Sequence, residues 1–174
     1  SGGFHVSASG NVMVNSDLTG SMTTHVGAFS VNYGDGEQIT GSLSSIGEGY
    51  GDIVKFGGTT GMATGYAVYL KHDRTWAVAS ALGSNAGSAM SASLVGVALG
   101  PNSDIDGVLL RGFAKVELQN QAVGKPVYIQ AHSSGRFTTV APSDSDDIVR
   151  PMGYCIGEDD TIYFNPDSTY VEIA

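Results

Sequence analysis

The sequence predicts an all-β protein: a β-sandwich or barrel built from an internal duplication and preceded by an extended N-terminal β arm. Its composition favours strands, because 25 of the 174 residues are glycine and only 14% are charged, which leaves few charged helix formers. Short runs rich in Val, Thr, Tyr and Ile alternate with turn signals, as expected for many short strands. The chain also repeats one series of motifs, which is typical of a duplicated structural unit.

Residues 1–50 form the predicted arm. They divide into short alternating pieces separated by Gly, Asn and Ser, and their apolar residues are too thinly spread to close a core. We expect this segment to complete its strand pairing on another chain, or to fold back as edge strands of the main domain. The apolar residues expected to contact a partner are Phe4, Val6, Val12, Val14 and Leu18.

Residues 51–174 form the predicted β domain, which holds two related repeats at about 65–118 and 124–173. The matching motifs keep a common order at a nearly constant offset, so chance similarity is improbable. The pairs are GYAVYL and GKPVYI, VGVALG and MGYCIG, VLL and IYF, and VEL and VEI. Each repeat therefore predicts the order strand, turn, strand, polar loop, strand, turn, strand.

The aromatic residues of the two repeats are predicted core anchors. Those expected in the core are Tyr69, Trp76, Tyr128, Phe137, Tyr154, Tyr163 and Phe164. Glycines inside VGVALG and MGYCIG predict a bulge or a close approach of two backbones. The single cysteine, Cys155, matches Ala98 of the first repeat and is therefore expected to be a small buried residue. One cysteine forms neither an internal disulfide nor a cysteine zinc cage.

Charge and hydropathy exclude two classes of partner. The formal net charge of −9 would repel DNA or RNA, so no nucleic-acid partner is expected. No apolar run approaches the roughly 18–20 residues of a transmembrane helix, so no membrane partner is expected either. The chain begins at Ser1 without Met, which is compatible with removal of an initiator Met or with proteolytic processing.

The tetrapeptide KHDR (Lys71–Arg74) is the first candidate for acid–base chemistry, because it places a histidine beside an aspartate and two cations. The second repeat holds QAHSSGR at the same place, so no His–Asp pair is retained. Acid–base catalysis requires side chains held within hydrogen-bond reach. We therefore interpret KHDR as a hairpin tip with at most a contact to a partner. No nucleophile elbow, P-loop or dinucleotide fingerprint occurs, so we expect no catalytic residue, no cofactor and no enzyme.

Two polar loops have oxygen ligands at spacings that suit a cation. Asn102, Asp104 and Asp106 resemble the first half of a calcium loop, but Phe113 stands where a bidentate Glu is required. The stretch DSDD (Asp144–Asp147) also brings carboxylates together. Asp, Asn and Ser are common turn residues, and the four histidines show no metal-ligand spacing. We therefore expect no metal, with the first loop as a weak candidate.

Four motifs of the second repeat follow one another in the order GKPVYI, GRFTTVAPS, VRPMGY and IYFNPDSTYVEI. In this order they resemble the C-terminal module of virion structural proteins from tailed bacteriophages, notably those that infect cyanobacteria. The motifs GDIVKFGG, GYAVYL, VGVALG and DGVLLRGF resemble the preceding segment of the same proteins, so the resemblance covers residues 51–174. Within the arm, GNVMVNSDLTG is similar to the β-rich shaft segments of phage fibres.

This resemblance implies an all-β fold, self-association (commonly as a homotrimer) and a non-enzymatic role on the virion. The implied partners are the major capsid protein and further copies of the chain. The expected function is that of a capsid decoration (cement) protein, assembled in the host cytoplasm, which stabilises the shell through capsomer contacts. The alternative is a tail-fibre or tail adhesion module that contacts the host surface. Assembly in a reducing cytosol agrees with a lone cysteine.

Overall fold

Twelve short strands and no helix make up the residues that the computed structural model describes, 43–82, 93–132 and 135–174. The predicted all-β class is therefore confirmed. The strands are β1 (Gly49–Val54), β2 (Ala67–Leu70), β3 (Trp76–Val78), β4 (Val95–Ala98), β5 (Val108–Lys115), β6 (Leu118–Gln119), β7 (Pro126–Ile129), β8 (Phe137–Thr138), β9 (Ile148–Val149), β10 (Gly153–Cys155), β11 (Thr161–Phe164) and β12 (Val171–Glu172).

The arm residues expected to contact a partner, Phe4, Val6, Val12, Val14 and Leu18, lie outside the described residues. The β domain begins earlier than its predicted boundary at residue 51. Leu43 is buried, Gly47 N donates to Lys115 O at 2.9 Å, and β1 already starts at Gly49. Residues 43–50 therefore belong with the sheet, because their backbone pairs with β5 and its C-terminal end. Across the three described ranges, no helix has the length and apolar character needed to cross a bilayer.

Ten of the strands form one curled sheet. Its main path has the order β3-β2-β4-β5-β11-β10-β7-β8-β6, and β1 pairs in addition with β5. All its neighbours run antiparallel except β6 and β8, which are parallel, while β9 and β12 form a separate two-stranded sheet. The sheet is therefore a mixed half-barrel: it curls as a barrel does, and its strands do not form the sandwich that the sequence predicted as the other possibility.

Hydrogen bonds between distant parts of the sheet hold this curl. Gly135, in the turn between β7 and β8, donates its N–H to Ala79 O at 2.7 Å and accepts from Ala67 N at 2.8 Å. Ser80 Oγ donates to Ala131 O at 3.0 Å. The β2–β3 end of the sheet is therefore hydrogen-bonded to the β7–β8 end.

The core consists of two apolar clusters. The larger one takes buried residues from nine of the twelve strands and includes Phe137 and Phe164, whose rings meet edge to face with centroids 6.2 Å apart. The smaller one surrounds Trp76, whose indole N–H donates to Phe56 O at 3.0 Å. All four residues of β4 are buried, because successive residues of a strand project to opposite faces and each face of β4 meets a cluster. Val95 and Val97 belong to the larger cluster, and Ala98 belongs to the smaller one.

The predicted core anchors do not all lie in the core. Trp76, Phe137 and Phe164 are buried, and Tyr69 packs half-buried against the larger cluster. Tyr128 and Tyr163 are half-buried. The prediction for Tyr154 is wrong, because 54% of this residue is exposed. Its neighbours in β10, Gly153 and Cys155, take the buried side of the strand, so the alternation directs Tyr154 to the opposite face.

The close backbone approach predicted at the strand glycines is confirmed at two positions. A Cβ at Gly153 would overlap Tyr163 O in the neighbouring strand, and Gly153 has a φ of +135°. A Cβ at Gly96 would overlap the Val108 side chain and lie 2.9 Å from Leu109 O. Only glycine allows β4 and β10 to lie this close to their neighbours.

Candidate interaction surface

An unbroken row of residues crosses one face of the sheet. Its members stand directly opposite one another in successive strands, and residues opposed in this way project to the same face. In order across β1, β5, β11, β10 and β7 they are Tyr50, Phe113, Tyr163, Tyr154 and Pro126. We call these five residues, four aromatic and one proline, the aromatic row. Tyr128, two residues beyond Pro126 in β7, projects to the same face.

Strand alternation explains why this row lies outside the core. In β11, Tyr163 stands between Ile162 and Phe164, both of which are fully buried. In β5, Phe113 stands between the buried residues Gly112 and Ala114. The apolar neighbours take the interior face, and the rings are left on the other face.

The row combines accessible rings with polar groups. Tyr50 and Tyr154 are 51% and 54% exposed, while Phe113 and Tyr163 are half-buried with ring centroids 5.2 Å apart. Arg111 Nε donates to Tyr163 Oη at 3.4 Å, and this hydrogen bond raises the pKa of Arg111. An exposed set of aromatic rings with hydroxyl groups and a cation at its margin has the composition of a protein interaction surface.

The sequence reasoning missed this surface. It assigned Tyr154 and Tyr163 to the core, and it gave Tyr50 and Phe113 no role. A period of two was visible in GYC and IYF, where a tyrosine separates two small or apolar residues. The row itself depends on which strands are neighbours and on their registers, and those pairings join residues far apart in the chain.

The KHDR stretch forms the tip of the β2–β3 hairpin, as predicted. The Asp73 carboxylate accepts from Thr75 Oγ1 at 2.7 Å, from Thr75 N at 3.0 Å and from Lys71 Nζ at 3.0 Å. These contacts, with the Thr75 hydroxyl as the largest cause, hold the pKa of Asp73 well below its usual range. Asp73 therefore stabilises the turn with its own neighbours.

The weak metal candidate lies in the turn that precedes β5. Asn102 Oδ1 accepts from Asp104 N at 2.9 Å, and Asp106 Oδ2 accepts from Asn102 N at 2.8 Å. Asp104 Oδ1 accepts from Gly58 N at 2.9 Å. Each side chain thus accepts a main-chain hydrogen bond, which is the usual role of Asn and Asp in turns.

Comparison with known proteins gives no match: no family model, no curated protein and no solved structure is significantly similar to this chain.

Carboxylates that accept hydrogen bonds in the folded domain are expected to make its stability sensitive to acid. Four of them, Glu48, Asp73, Asp159 and Asp167, have lowered pKa values. For Glu48 and Asp167 the largest cause is a hydrogen bond from a main-chain N–H, that of Ser44 and that of Thr169 respectively. For Asp73 and Asp159 the largest cause is a hydrogen bond from a hydroxyl group, that of Thr75 and that of Thr161 respectively. A carboxylate whose pKa is depressed by folding contributes stability above its unfolded pKa and loses it as the pH falls through the folded value.

We therefore expect the unfolding midpoint temperature to hold steady through mildly acidic pH and to fall below about pH 4, where unfolded carboxylates titrate. Thermal unfolding followed by circular dichroism across this range measures the effect. Asp73→Asn removes one of the shifted groups and should make the acid-side fall shallower than in the unaltered chain. A midpoint that does not change on acidification would contradict the prediction.

Proposed function

We propose that this chain is a structural protein of a phage virion: a capsid decoration (cement) protein, with no enzymatic activity, that stabilises the shell through capsomer contacts. The observation that carries the proposal is the aromatic row on the free face of an all-β domain. The motif resemblance over residues 51–174 supports the same assignment. In this proposal the row packs against a neighbouring copy in a homotrimer, and the N-terminal arm binds the major capsid protein by strand pairing.

The proposal includes an internal duplication, which the strand order supports. The order β3-β2-β4-β5 in one half of the sheet is mirrored by β8-β7-β10-β11 in the other. Residues matched by sequence also have matched partners in the ladders. The pair Leu70–Trp76 is equivalent to Ile129–Phe137, the pair Val68–Gly96 to Val127–Gly153, and the pair Ala98–Val108 to Cys155–Ile162.

The two halves differ in which faces they bury, and this difference supports a division of roles. Val97 and Leu109 of the first half are fully buried, whereas Tyr154 and Tyr163, their counterparts in the second half, belong to the aromatic row. The register of β1 against β5 shifts by one residue at Leu110. Such a bulge adds one unpaired residue to β5, so the alternation between the two faces of the sheet is reversed beyond it. Along these strands the first half thus buries both faces, whereas the second half leaves Tyr154 and Tyr163 on a contact surface that Phe113 and Tyr50 continue.

Self-association through the row gives a direct prediction. Tyr154→Ser should weaken the homotrimer by about tenfold or more, because a central interface tyrosine commonly contributes 1–2 kcal/mol or more. Tyr170→Ser is the matched control, since Tyr170 is also exposed but lies outside the row. Sedimentation equilibrium of the three chains measures the effect. A monomeric unaltered chain, or equal effects of the two substitutions, would contradict this role of the row.

The assigned function is tested by binding to capsids. The full chain should bind capsids that lack it, and at saturation it should raise the temperature at which they release DNA. A chain without residues 1–40 keeps the described β domain, and in this proposal it should lose capsid binding while it still self-associates. Equal binding of the two chains would overturn the role of the arm, and no binding of either would overturn the decoration function.

The alternative function, a tail-fibre or tail adhesion module, is favoured by the exposure of Tyr50 and Tyr154, since accessible rings stack on sugars. Trp76, the only tryptophan of the chain, would also suit sugar stacking, but it is only 3% exposed, so in this alternative a glycan contacts the row. Glycan-array binding that is abolished by Tyr154→Ser and kept by Tyr170→Ser would favour this alternative over the decoration function.

A further inference from the structure

Three side chains with metal-ligating atoms meet beside the β7–β8 hairpin. His132 follows β7, Asp144 lies in the loop after β8, and Asp147 directly precedes β9. One ligand atom of each lies within 4.8 Å of the others. His132 Nε2 is 2.9 Å from Asp144 Oδ2. Three separate points of the chain thus present one imidazole and two carboxylates to the same space.

Asp147 supplies an independent indication that this space suits a cation. The residue is 1% exposed, and its Oδ1 has no hydrogen-bond partner. Its Oδ2 accepts from Asp144 N at 3.3 Å. Among the described residues, Oδ1 of Asp147 is the only buried side-chain oxygen or nitrogen without a partner. Buried carboxylate oxygens are paired or bind metals in nearly all proteins, so this oxygen favours a positively charged ligand.

The surface around the three side chains leaves room for an ion. They line a shallow depression of about 220 Å³ whose wall also includes Thr138 and Ser143. His132 and Asp144 each have 68% of their side-chain surface exposed, so an ion can enter from solvent. Asp147 forms the buried side of the depression, and the exposed pair forms its open side.

We propose that His132, Asp144 and Asp147 bind one divalent transition-metal ion of the Zn²⁺ class. One imidazole nitrogen with two carboxylate oxygens suits Zn²⁺ and related ions, whereas Ca²⁺ and Mg²⁺ prefer oxygen ligands alone. Three protein ligands leave the remaining positions for water or for a group of a partner.

The bound ion would act as a structural clamp. Ile148 N donates to Ala81 O at 2.7 Å, and Ile173 N donates to Asp147 O at 3.0 Å. The segment that carries Asp147 therefore already touches the end of the β2–β3 hairpin and the last strand, β12. An ion shared with His132 would tie both to the β7–β8 hairpin, and the stability of the folded state would rise with the logarithm of the ion concentration once that concentration exceeds the dissociation constant.

The test uses the full chain, freed of metal with a chelator and then titrated with Zn²⁺ by calorimetry and by thermal unfolding. We expect one equivalent of Zn²⁺ to bind and to raise the unfolding midpoint. His132→Gln and Asp144→Asn, both at exposed positions, should weaken this binding by about tenfold or more and abolish the midpoint shift. Asp147→Asn, which keeps the shape of the side chain, should do the same.

His72→Gln is the control, because His72 is exposed at the β2–β3 tip, away from the three ligands. It should bind Zn²⁺ as the unaltered chain does. Absence of Zn²⁺ binding by the unaltered chain would overturn the proposal, as would binding that persists in both His132→Gln and Asp144→Asn. Tighter binding of Ca²⁺ than of Zn²⁺ would overturn the assigned class of ion.

Discussion

Gly153→Ala is expected to lower the free energy of unfolding by about 3–5 kcal/mol, among the largest effects of a single substitution. Gly153 has a φ of +135° and pairs with both Phe164 and Val127, so it joins β10 to two neighbours. An added Cβ would overlap Tyr163 O, a main-chain atom that moves only if the ladder opens. Steric overlap and backbone strain therefore act together at this position.

Urea unfolding measures the effect, and Gly124→Ala separates its two causes. Gly124 also has a positive φ, +80°, but a Cβ there would have no atom within 4 Å. It should therefore show only the cost of backbone strain, about 1–2 kcal/mol. Equal losses for the two variants would contradict the close approach of β10 and β11 at Gly153.

Phe164→Ala is expected to cost about 3–5 kcal/mol, since it removes a buried aromatic ring and leaves a cavity. Phe164 is fully buried in the larger cluster, where its ring meets that of Phe137. The surrounding strands are joined on both sides, so the site has little freedom to collapse. Chemical unfolding of the variant measures the loss.

Tyr154→Ala is the control for this second prediction. It removes an aromatic ring of similar size from the adjacent strand, on the opposite face. Under conditions where the protein is monomeric, it should change stability by no more than about 1 kcal/mol, as expected for an exposed residue. A loss as large as that of Phe164→Ala would show that the face assigned to the aromatic row is wrong.

The fold class and the hairpin tip were predictable because local patterns determine both. Many glycines, few charged helix formers and short β-branched runs are sufficient for an all-β prediction. The KHDR tip was predictable because two apolar runs flank a short polar turn. Cys155 is buried, as predicted from the alignment of MGYCIG with VGVALG, which sets it opposite the small apolar residue Ala98.

The half-barrel and its free face were not predictable, because they depend on distant pairings. β5 pairs with β1, β4 and β11, and no local signal shows that these strands share it. The outward position of Tyr154 was not predictable because β10 has only three residues, in which the alternation of GYC is too short to be decisive. The contact between His132 and Asp144 was not predictable for the same reason, because the two residues are 12 positions apart and meet only through the fold.

The decoration function is tested most directly by cryo-electron microscopy of the phage particle to which the proposal assigns this chain. The proposal predicts copies distributed over the whole capsid surface, grouped in threes, with the row at the contacts between copies and residues 1–40 against the major capsid protein. Copies confined to the tail would contradict the decoration function and favour the adhesion alternative. A purified particle without the chain would contradict both.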